Sequence, residues 1–259
     1  MKGIILYFSG SGNTKYIVNK TYEEFIKSGC ELEVYSIEDK ISLDFNSYDF
    51  LVIGFPKYFY DMPKIFFDYI RDNLECSSNE IKTMIFSTGR DKSVTNFIEL
   101  EKVLGEKNYK VITTKNFQMP NSFTISKSYE KDTRKDIRDV YEKTLIEIKE
   151  LVVNFLTENI VKEEISNLQA VFYKNINKFL TKDLYKNSDK FSVNDDCDKC
   201  NICVKSCPTM NIENIDEMIK FRDNCIMCCR CVNVCPKNAI LYNKKEHPQY
   251  KENIDLIIS

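Results

Sequence analysis

The chain lacks the parts that several large classes of protein need. Its single histidine, His247, sits in a polar stretch and is expected to be inert. There is therefore no Ser-His-Asp set, no Cys-His set and no His-rich metal site for hydrolytic chemistry. The 37 basic and 39 acidic side chains give a net charge of −2, without the basic excess that indicates nucleic-acid binding. No apolar run is long enough for a membrane span, and the start Met-Lys-Gly-Ile-Ile shows no signal peptide.

Cysteine, in contrast, is abundant, and eight of the 11 cysteines lie in two identical runs near the C-terminus. Each run reads Cys-x2-Cys-x2-Cys-x3-Cys-Pro, and the positions are Cys197, Cys200, Cys203 and Cys207, then Cys225, Cys228, Cys231 and Cys235. Such short spacing lets one loop direct three thiolates at one centre, so the runs predict metal binding. The proline after each fourth cysteine fixes φ and donates no hydrogen bond, so it should turn the chain away from the metal.

Two other uses of paired cysteines remain as alternatives on spacing alone. A disulfide framework is typical of small secreted domains, which disagrees with the missing signal peptide. A zinc site also uses Cys-x2-Cys pairs, although it requires neither the third cysteine nor the following proline. Cys229 lies between two expected ligands and is interpreted as a packed thiol rather than a ninth ligand, while Cys30 and Cys76 are ordinary strand or helix-end residues.

The two cysteine runs resemble the bacterial-type 2[4Fe-4S] ferredoxin domain. The resemblance implies two clusters, in which the fourth cysteine of each run binds the cluster of the other run. The first cluster would use Cys197, Cys200, Cys203 and Cys235, and the second Cys225, Cys228, Cys231 and Cys207. Clusters of this type are labile in oxygen and need reduced thiols. We therefore expect a cytoplasmic protein from an anaerobe.

The first 160 residues alternate short apolar runs with amphipathic helical patterns, which predicts a doubly wound α/β sheet of five parallel strands. The predicted strands are 2–8, 30–37, 50–55, 83–86 and 110–117, and the predicted helices are 13–28, 63–74, 94–104 and 131–156. The continuous apolar run at 50–55 is typical of a parallel strand that is covered on both faces.

A further helical pattern over 165–184 predicts a connector. We expect an α/β domain at 1–160, a helical connector at 161–189 and a small α+β domain at 190–259 that holds the cysteines. The connector's apolar side chains are expected to pack between the two domains. Its aligned lysines, Lys174, Lys178 and Lys182, leave a membrane-surface helix as the alternative.

A glycine-containing loop joins the first predicted strand to the first helix. It would offer a phosphate group backbone amides, the positive end of the helix dipole and the polar side chains of its residues. These residues are Ser9, Gly10, Ser11, Gly12, Asn13 and Thr14. The loop does not match the pattern of nucleoside triphosphatases, and Lys15 stands where a dinucleotide fingerprint needs its third glycine. Taken alone, the loop could equally be a simple turn.

This loop closely resembles the phosphate loop of flavodoxins, which bind FMN, and the resemblance extends over residues 1–157. It implies that two further loops flank the isoalloxazine ring. The implied ring contacts are Pro56, Lys57, Tyr58, Phe59 and Tyr60 after the third strand, and Ser87, Thr88, Gly89 and Arg90 after the fourth. Tyr58 and Tyr60 are the preferred contacts, with core packing as the alternative for each aromatic and a solvated side chain as the alternative for Arg90.

The order of these parts resembles the flavodoxin–ferredoxin fusion proteins of anaerobic bacteria. The resemblance implies FMN and two [4Fe-4S] clusters in one chain that passes low-potential electrons between a donor and an acceptor redox protein. An FMN-dependent reductase of a small molecule, fed through its own clusters, is the main alternative. A redox sensor is a weaker alternative because no part of the chain resembles a DNA-reading or signalling domain.

Overall fold

The computed structural model describes residues 1–39, 43–127, 129–181 and 185–250, which form two compact units. The first unit comprises Met1–Pro120 and Arg134–Asn177, and the second comprises Asn121–Thr133 and the chain from Lys178 onward. These boundaries differ from the expected ranges 1–160, 161–189 and 190–259. The loop after the fifth strand belongs to the second unit, and much of the connector belongs to the first. Lys182, Leu184 and residues 251–259, which those ranges include, lie outside the described residues.

The first unit is built on a five-stranded, all-parallel sheet, which confirms the predicted flavodoxin-like α/β fold. Its strands are β1 (Lys2–Tyr7), β2 (Glu31–Ser36), β3 (Phe50–Pro56), β4 (Ile81–Gly89) and β5 (Tyr109–Gln118). The strand order is β2-β1-β3-β4-β5, so β2 and β3 lie on opposite sides of β1. The carboxyl ends of β1 and β3 therefore flank the switch in strand order, where open α/β sheets bind ligands.

Five helices accompany this sheet. They are α1 (Asn13–Lys27), α2 (Lys64–Asn73), α3 (Ile98–Glu106), α4 (Arg134–Leu156) and α5 (Asn167–Thr181). Aromatic packing joins α1 and α4 to the central strand β3: the ring of Phe25 in α1 stacks on Phe50 in β3 at 5.0 Å, and Phe155 in α4 meets both rings edge-on. Every residue of β3 from Phe50 to Phe55 is buried, as predicted for a strand covered on both faces.

Helix α3 begins at Ile98, four residues after the predicted start at Val94. The preceding residues are held by other bonds: the Thr95 hydroxyl lies 2.6 Å from the Ser87 hydroxyl, and the Asn96 backbone N–H donates to Tyr60 O at 2.9 Å. The Asn96 side chain accepts a hydrogen bond from the Ile98 N–H at 3.2 Å, and the helix begins after Phe97 without a side-chain cap. These tertiary bonds replace the first predicted helical turn.

The chain between α4 and α5 runs along the edge of the sheet. Val161 pairs in parallel with Thr113 of β5, with Thr114 N–H donating to Val161 O at 2.9 Å. Ser166 and Gln169 then form a capping box at the start of α5, in which the Ser166 hydroxyl accepts from the Gln169 N–H and the Gln169 side chain accepts from the Ser166 N–H. Because this edge segment runs parallel to β5, it leads α5 toward the carboxyl ends of the strands.

Many apolar residues of α5 do not pack as expected. Five of them are exposed: Leu168, Val171, Phe172, Phe179 and Leu180. The helix is instead attached to the first unit by aromatic and polar residues, which are described below.

The second unit is small and contains two antiparallel strand pairs. Strand β6 (Phe191–Val193) pairs with β9 (Ile240–Tyr242), and β7 (Ile212–Ile215) pairs with β8 (Met218–Phe221). Two five-residue helices, α6 (Ile202–Ser206) and α7 (Arg230–Val234), each begin inside one cysteine run. This arrangement agrees with the predicted α+β ferredoxin-like part.

Candidate functional site

The loop between β1 and α1 is shaped for close approach of a ligand to the backbone. Gly12 stands immediately before α1 with φ at 111°, a conformation that favours glycine. Gly12 has no side chain that could cap this 15-residue helix, and the Lys15 N–H of the first turn is bonded to the Ser9 hydroxyl. The helix N-terminus therefore presents its amides and its positive dipole end where an anion such as a phosphate can bind.

Side chains of this loop tie it to the ends of two other strands. The Thr14 hydroxyl lies 2.8 Å from the Thr88 hydroxyl at the end of β4, and both residues are buried. The Asn13 amide donates to Pro120 O, just beyond β5, at 2.9 Å. The Ser9 hydroxyl accepts from the Lys15 N–H at 3.2 Å, which closes the loop on itself. The predicted phosphate-loop residues therefore lie beside the predicted residue Thr88, at the carboxyl ends of the strands.

The loop after β3 contains a tight hairpin, here called the hairpin 58–61. The Tyr58 N–H donates to Asp61 O at 2.7 Å, and the Asp61 N–H donates to Tyr58 O at 3.2 Å. Phe59 at its tip has φ at 58°, in the left-handed region that costs free energy for a residue with a side chain, and is 42% exposed. The Lys57 N–H donates to Thr88 O at 2.7 Å, so the hairpin starts next to the loop after β4.

Lys57 is engaged within the protein. Its side chain is only 2% exposed, and Nζ lies 2.7 Å from the Asp91 carboxylate and 2.8 Å from both oxygens of Ser93. Burial of the Asp91 carboxyl opposes its ionisation, but hydrogen bonds from Lys57 and Ser93 outweigh burial and lower the pKa of Asp91. The Lys57 ammonium therefore fastens the loop after β3 to the loop after β4.

Tyr60 also contacts another part of the protein, helix α5. Its ring stacks on Tyr173 of α5 with centroids 4.3 Å apart and planes 9° apart. Its backbone N–H donates to the side-chain oxygen of Asn177 at 3.3 Å. Neither α5 residue was identified from the sequence. No local pattern could have found them, since they lie more than a hundred residues away along the chain.

The loop after β4 is held by a buried network. The Ser87 hydroxyl donates to Asn116 Oδ1 at 2.8 Å, and the Asn116 amide donates to Asp91 O at 3.3 Å. The Met119 N–H donates to Gly89 O at 2.8 Å, which joins this loop to the end of β5. The side chain of Ser87 therefore serves the network, whereas Arg90 is exposed. The structure brings the three predicted loops together at the carboxyl ends of the strands.

The eight cysteines of the two runs surround two separate cavities in the second unit. One cavity is lined by Cys197, Cys200, Cys203 and Cys235, and the other by Cys207, Cys225, Cys228 and Cys231. Each cavity thus takes three cysteines from one run and the fourth from the other. Pro236 lines the first cavity and Pro208 the second, which places each proline directly after the crossing cysteine.

Backbone amides donate to several of these sulfurs. The Asn211 N–H donates to Cys207 Sγ at 3.2 Å, the Met227 N–H to Cys225 Sγ at 3.3 Å, and the Ala239 N–H to Cys235 Sγ at 3.3 Å. Burial raises the pKa of Cys203 to about 11 and that of Cys228 to about 12. Metal ligands must be deprotonated, and N–H···S bonds favour the thiolate that a cluster needs. Among the described residues, no group of three or more His, Cys, Asp or Glu side chains has the geometry for a single metal ion.

Cys229 also lines the second cavity, beside the four cysteines assigned to it. It is 2% exposed, packs in the core of the second unit and accepts a hydrogen bond from the Ile125 backbone N–H. Its φ is 58°, and the matching residue of the first run, Asn201, has φ at 61°. Both residues stand directly before the short helix of their run. Cys229 is thus a packed thiol at a turn position that the two runs share.

Comparison with known families matches both units. A flavodoxin domain model matches residues 4–119, and a 4Fe-4S dicluster domain model matches residues 190–246. The chain joins a flavodoxin domain to a 4Fe-4S dicluster domain. The flavodoxin domain implies FMN and the dicluster domain implies iron–sulfur clusters, so the fusion is an electron-transfer iron–sulfur flavoprotein.

Solved flavodoxins are among the structures that resemble this chain. A flavodoxin from the domain Archaea is 20% identical, covers 59% of this chain and 99% of its own, and has a TM-score of 0.40. The flavodoxin of Megasphaera elsdenii is 19% identical over 56% of this chain and 98% of its own, with a TM-score of 0.41. Flavodoxin 2 of Bacillus cereus is 16% identical over 61% of this chain and 99% of its own, with a TM-score of 0.42.

No curated protein matches the fusion. Within the described part of the chain, none of the helices combines the length and the apolar character needed to cross a membrane.

Proposed function

We propose that the chain carries two [4Fe-4S] clusters and one FMN, and passes low-potential electrons between them and outside redox proteins. The observation that carries this proposal is the pair of cysteine cavities, each completed by the fourth cysteine of the other run. This exchange of the fourth ligand is what a bacterial two-cluster ferredoxin requires. The flavodoxin match on the same chain adds the flavin.

Each cofactor has a set of residues that fits it. Cys197, Cys200, Cys203 and Cys235 would hold one cluster, and Cys207, Cys225, Cys228 and Cys231 the other. The loop of Ser9, Gly10, Ser11, Gly12, Asn13 and Thr14 would bind the FMN phosphate at the start of α1. The loops of Pro56, Lys57, Tyr58, Phe59 and Tyr60 and of Ser87, Thr88, Gly89 and Arg90 would flank the ring.

The residues of these loops have different tasks in this proposal. Lys57 and Ser87 hold the loops in place through Asp91 and Asn116, while backbone groups and Tyr58 would face the ligand. When bound, FMN supplies a carrier of one or two electrons and each cluster a carrier of one. Joining them in one chain gives the transfer a high effective concentration.

A small-molecule reductase would use the same cofactors, so the test must separate the two functions. Protein prepared without oxygen should contain about eight irons and one FMN per chain if both cofactor assignments hold. After reduction, it should transfer electrons to an added ferredoxin or flavodoxin faster than to small organic acceptors. Zinc in place of iron, or FAD in place of FMN, would overturn the cofactor assignment. Faster reduction of a small acceptor would favour the reductase.

A ligand variant and a matched control sharpen the cofactor test. Cys200→Ser should lose the signal of one cluster in electron paramagnetic resonance while FMN stays bound, because the cysteines and the flavin loops belong to separate domains. Cys229→Ser changes a cysteine of the same segment that is not a ligand and should keep both clusters. Loss of a cluster in Cys229→Ser would show that the ligand assignment is wrong.

A further inference from the structure

Helix α5 contacts the hairpin 58–61 through one side of its surface. The ring of Tyr173 stacks on Tyr60 at 4.3 Å, and the Asn177 side chain accepts the Tyr60 N–H at 3.3 Å. The Asn177 amide also hydrogen-bonds the carboxylate of Asp61. Tyr173 and Asn177 are four residues apart and therefore lie on the same face of the helix.

The route of the chain brings this face to the hairpin. The segment before α5 is fixed to the edge of β5 by the pairing of Val161 with Thr113, and Glu163 accepts the Asn116 N–H at 2.7 Å. Lys162 pairs with Glu101 of α3 at 2.6 Å, and Lys174 pairs with Glu99 at the start of α3. The helix thus reaches the carboxyl ends of the strands with a fixed start and a fixed direction.

The contacts on the hairpin are also the buried part of this helix. Asn177 is 8% exposed, whereas Leu168 in the first turn is 81% exposed. Without Asn177, a backbone N–H of the hairpin would lose its acceptor, next to the left-handed turn at Phe59. The contacts of α5 therefore help to hold the hairpin 58–61 in its conformation.

We propose that Tyr173 and Asn177 are positioning residues of the flavin site, through which α5 fixes the hairpin over the ring and thereby sets the affinity and the midpoint potential of FMN. This inference rests on the proposed binding of FMN between the loops after β3 and β4. It assigns a role to a helix that lies outside the flavodoxin match at 4–119. The contact directly precedes the part of the chain that leads to the dicluster domain.

The test compares three variants of the full chain: Asn177→Ala, Tyr173→Ala and the control Leu168→Ala. Amide hydrogen exchange at residues 58–61 should become about fivefold faster in Asn177→Ala, since one hydrogen bond of ordinary strength is lost. The FMN dissociation constant should rise several-fold in both test variants, and the midpoint potential of FMN should shift. Leu168 is 81% exposed in the first turn of α5, so Leu168→Ala should leave all three quantities unchanged.

The outcomes separate this inference from the proposed function. Failure of the unaltered chain to bind FMN would overturn the proposed function, whereas the exchange experiment would still report whether α5 holds the hairpin. Binding of FMN with unchanged affinity, potential and exchange in Asn177→Ala and Tyr173→Ala would overturn the inference. Exchange in the strands β1 and β3 monitors folding: if those strands also lose protection, the conservative variant Tyr173→Phe, which keeps the stacking, should restore the affinity and the potential.

Discussion

Replacing Asp61 by Asn should stabilise the flavodoxin domain near neutral pH. Burial raises the pKa of the Asp61 carboxyl to about 6, although hydrogen bonds from the Met62 N–H and the Asn177 amide favour the ionised form. The nearby Glu99 raises this pKa further and Lys174 opposes it. Asp61 thus holds its proton more tightly in the folded than in the unfolded protein.

The sign and the size of the effect follow from this pKa. The raised pKa of Asp61 contributes stability that is fully present below the unfolded value near pH 4 and is lost as pH rises through about 6. A shift of about two pKa units corresponds to up to about 3 kcal/mol in the free energy of unfolding. The amide introduced by Asp61→Asn would carry no charge but could still accept the Met62 N–H. The variant should therefore gain up to about 3 kcal/mol at about pH 7.5 and about 1 kcal/mol at about pH 4.5.

The assay is guanidinium unfolding of the flavodoxin domain at both pH values, with FMN in the same excess throughout. Asp91→Asn is the matched control because its effect on stability should depend on pH in the opposite direction. The pKa of Asp91 is lowered, so its contribution is present near neutral pH and is lost as pH falls. Its removal would also leave the buried Lys57 ammonium with the two Ser93 oxygens but without the Asp91 carboxylate. An Asp61→Asn variant whose stability changes equally at both pH values would refute the reasoning.

Two further predictions concern the same domain. Replacing Ser11 and Thr14 together by Ala should weaken FMN binding by about 1 kcal/mol or more per lost hydrogen bond, measured by fluorescence titration. An unchanged affinity would mean that the phosphate binds elsewhere. The second prediction concerns stability: Gly54→Ala should destabilise the domain by about 1–3 kcal/mol in thermal unfolding, because the new Cβ would lie 2.5 Å from Phe86 Cζ in the core. Gly105→Ala, where the new Cβ has no atom within 4 Å, is its control and should stabilise the domain by up to about 1 kcal/mol, because Gly105 lies in α3.

The order of strands and helices in the flavodoxin domain could be predicted because its signals are local. The apolar run at Phe50–Phe55 and the glycine at the start of α1 each specify their surroundings over a few residues. The start of α3 could not be predicted, since the hydrogen bond of Asn96 to Tyr60 joins residues from two different loops. Local helical patterns compete with such tertiary bonds, and here the tertiary bonds decided the boundary.

In the candidate site, too, local sequence patterns predict some features, and tertiary contacts determine others. The spacing predicts that the eight cysteines are metal ligands because each run is one short loop, and their ligand role stays a prediction. The attachment of Tyr60 to Tyr173 could not be predicted, since it depends on a chain path that no sequence pattern encodes. Cys229 lies between these cases: aligning the two cysteine runs pairs it with Asn201, and both adopt a left-handed conformation before a short helix.

The number of electrons that one chain accepts tests the central claim most directly. Oxygen-free protein is titrated with a one-electron reductant while visible absorption follows FMN and electron paramagnetic resonance follows the clusters. We predict about four electrons per chain, two for FMN and one for each cluster. In Cys200→Ser the count should fall to about three with FMN still reduced. A count of about two, from FMN alone or from the clusters alone, would contradict the account.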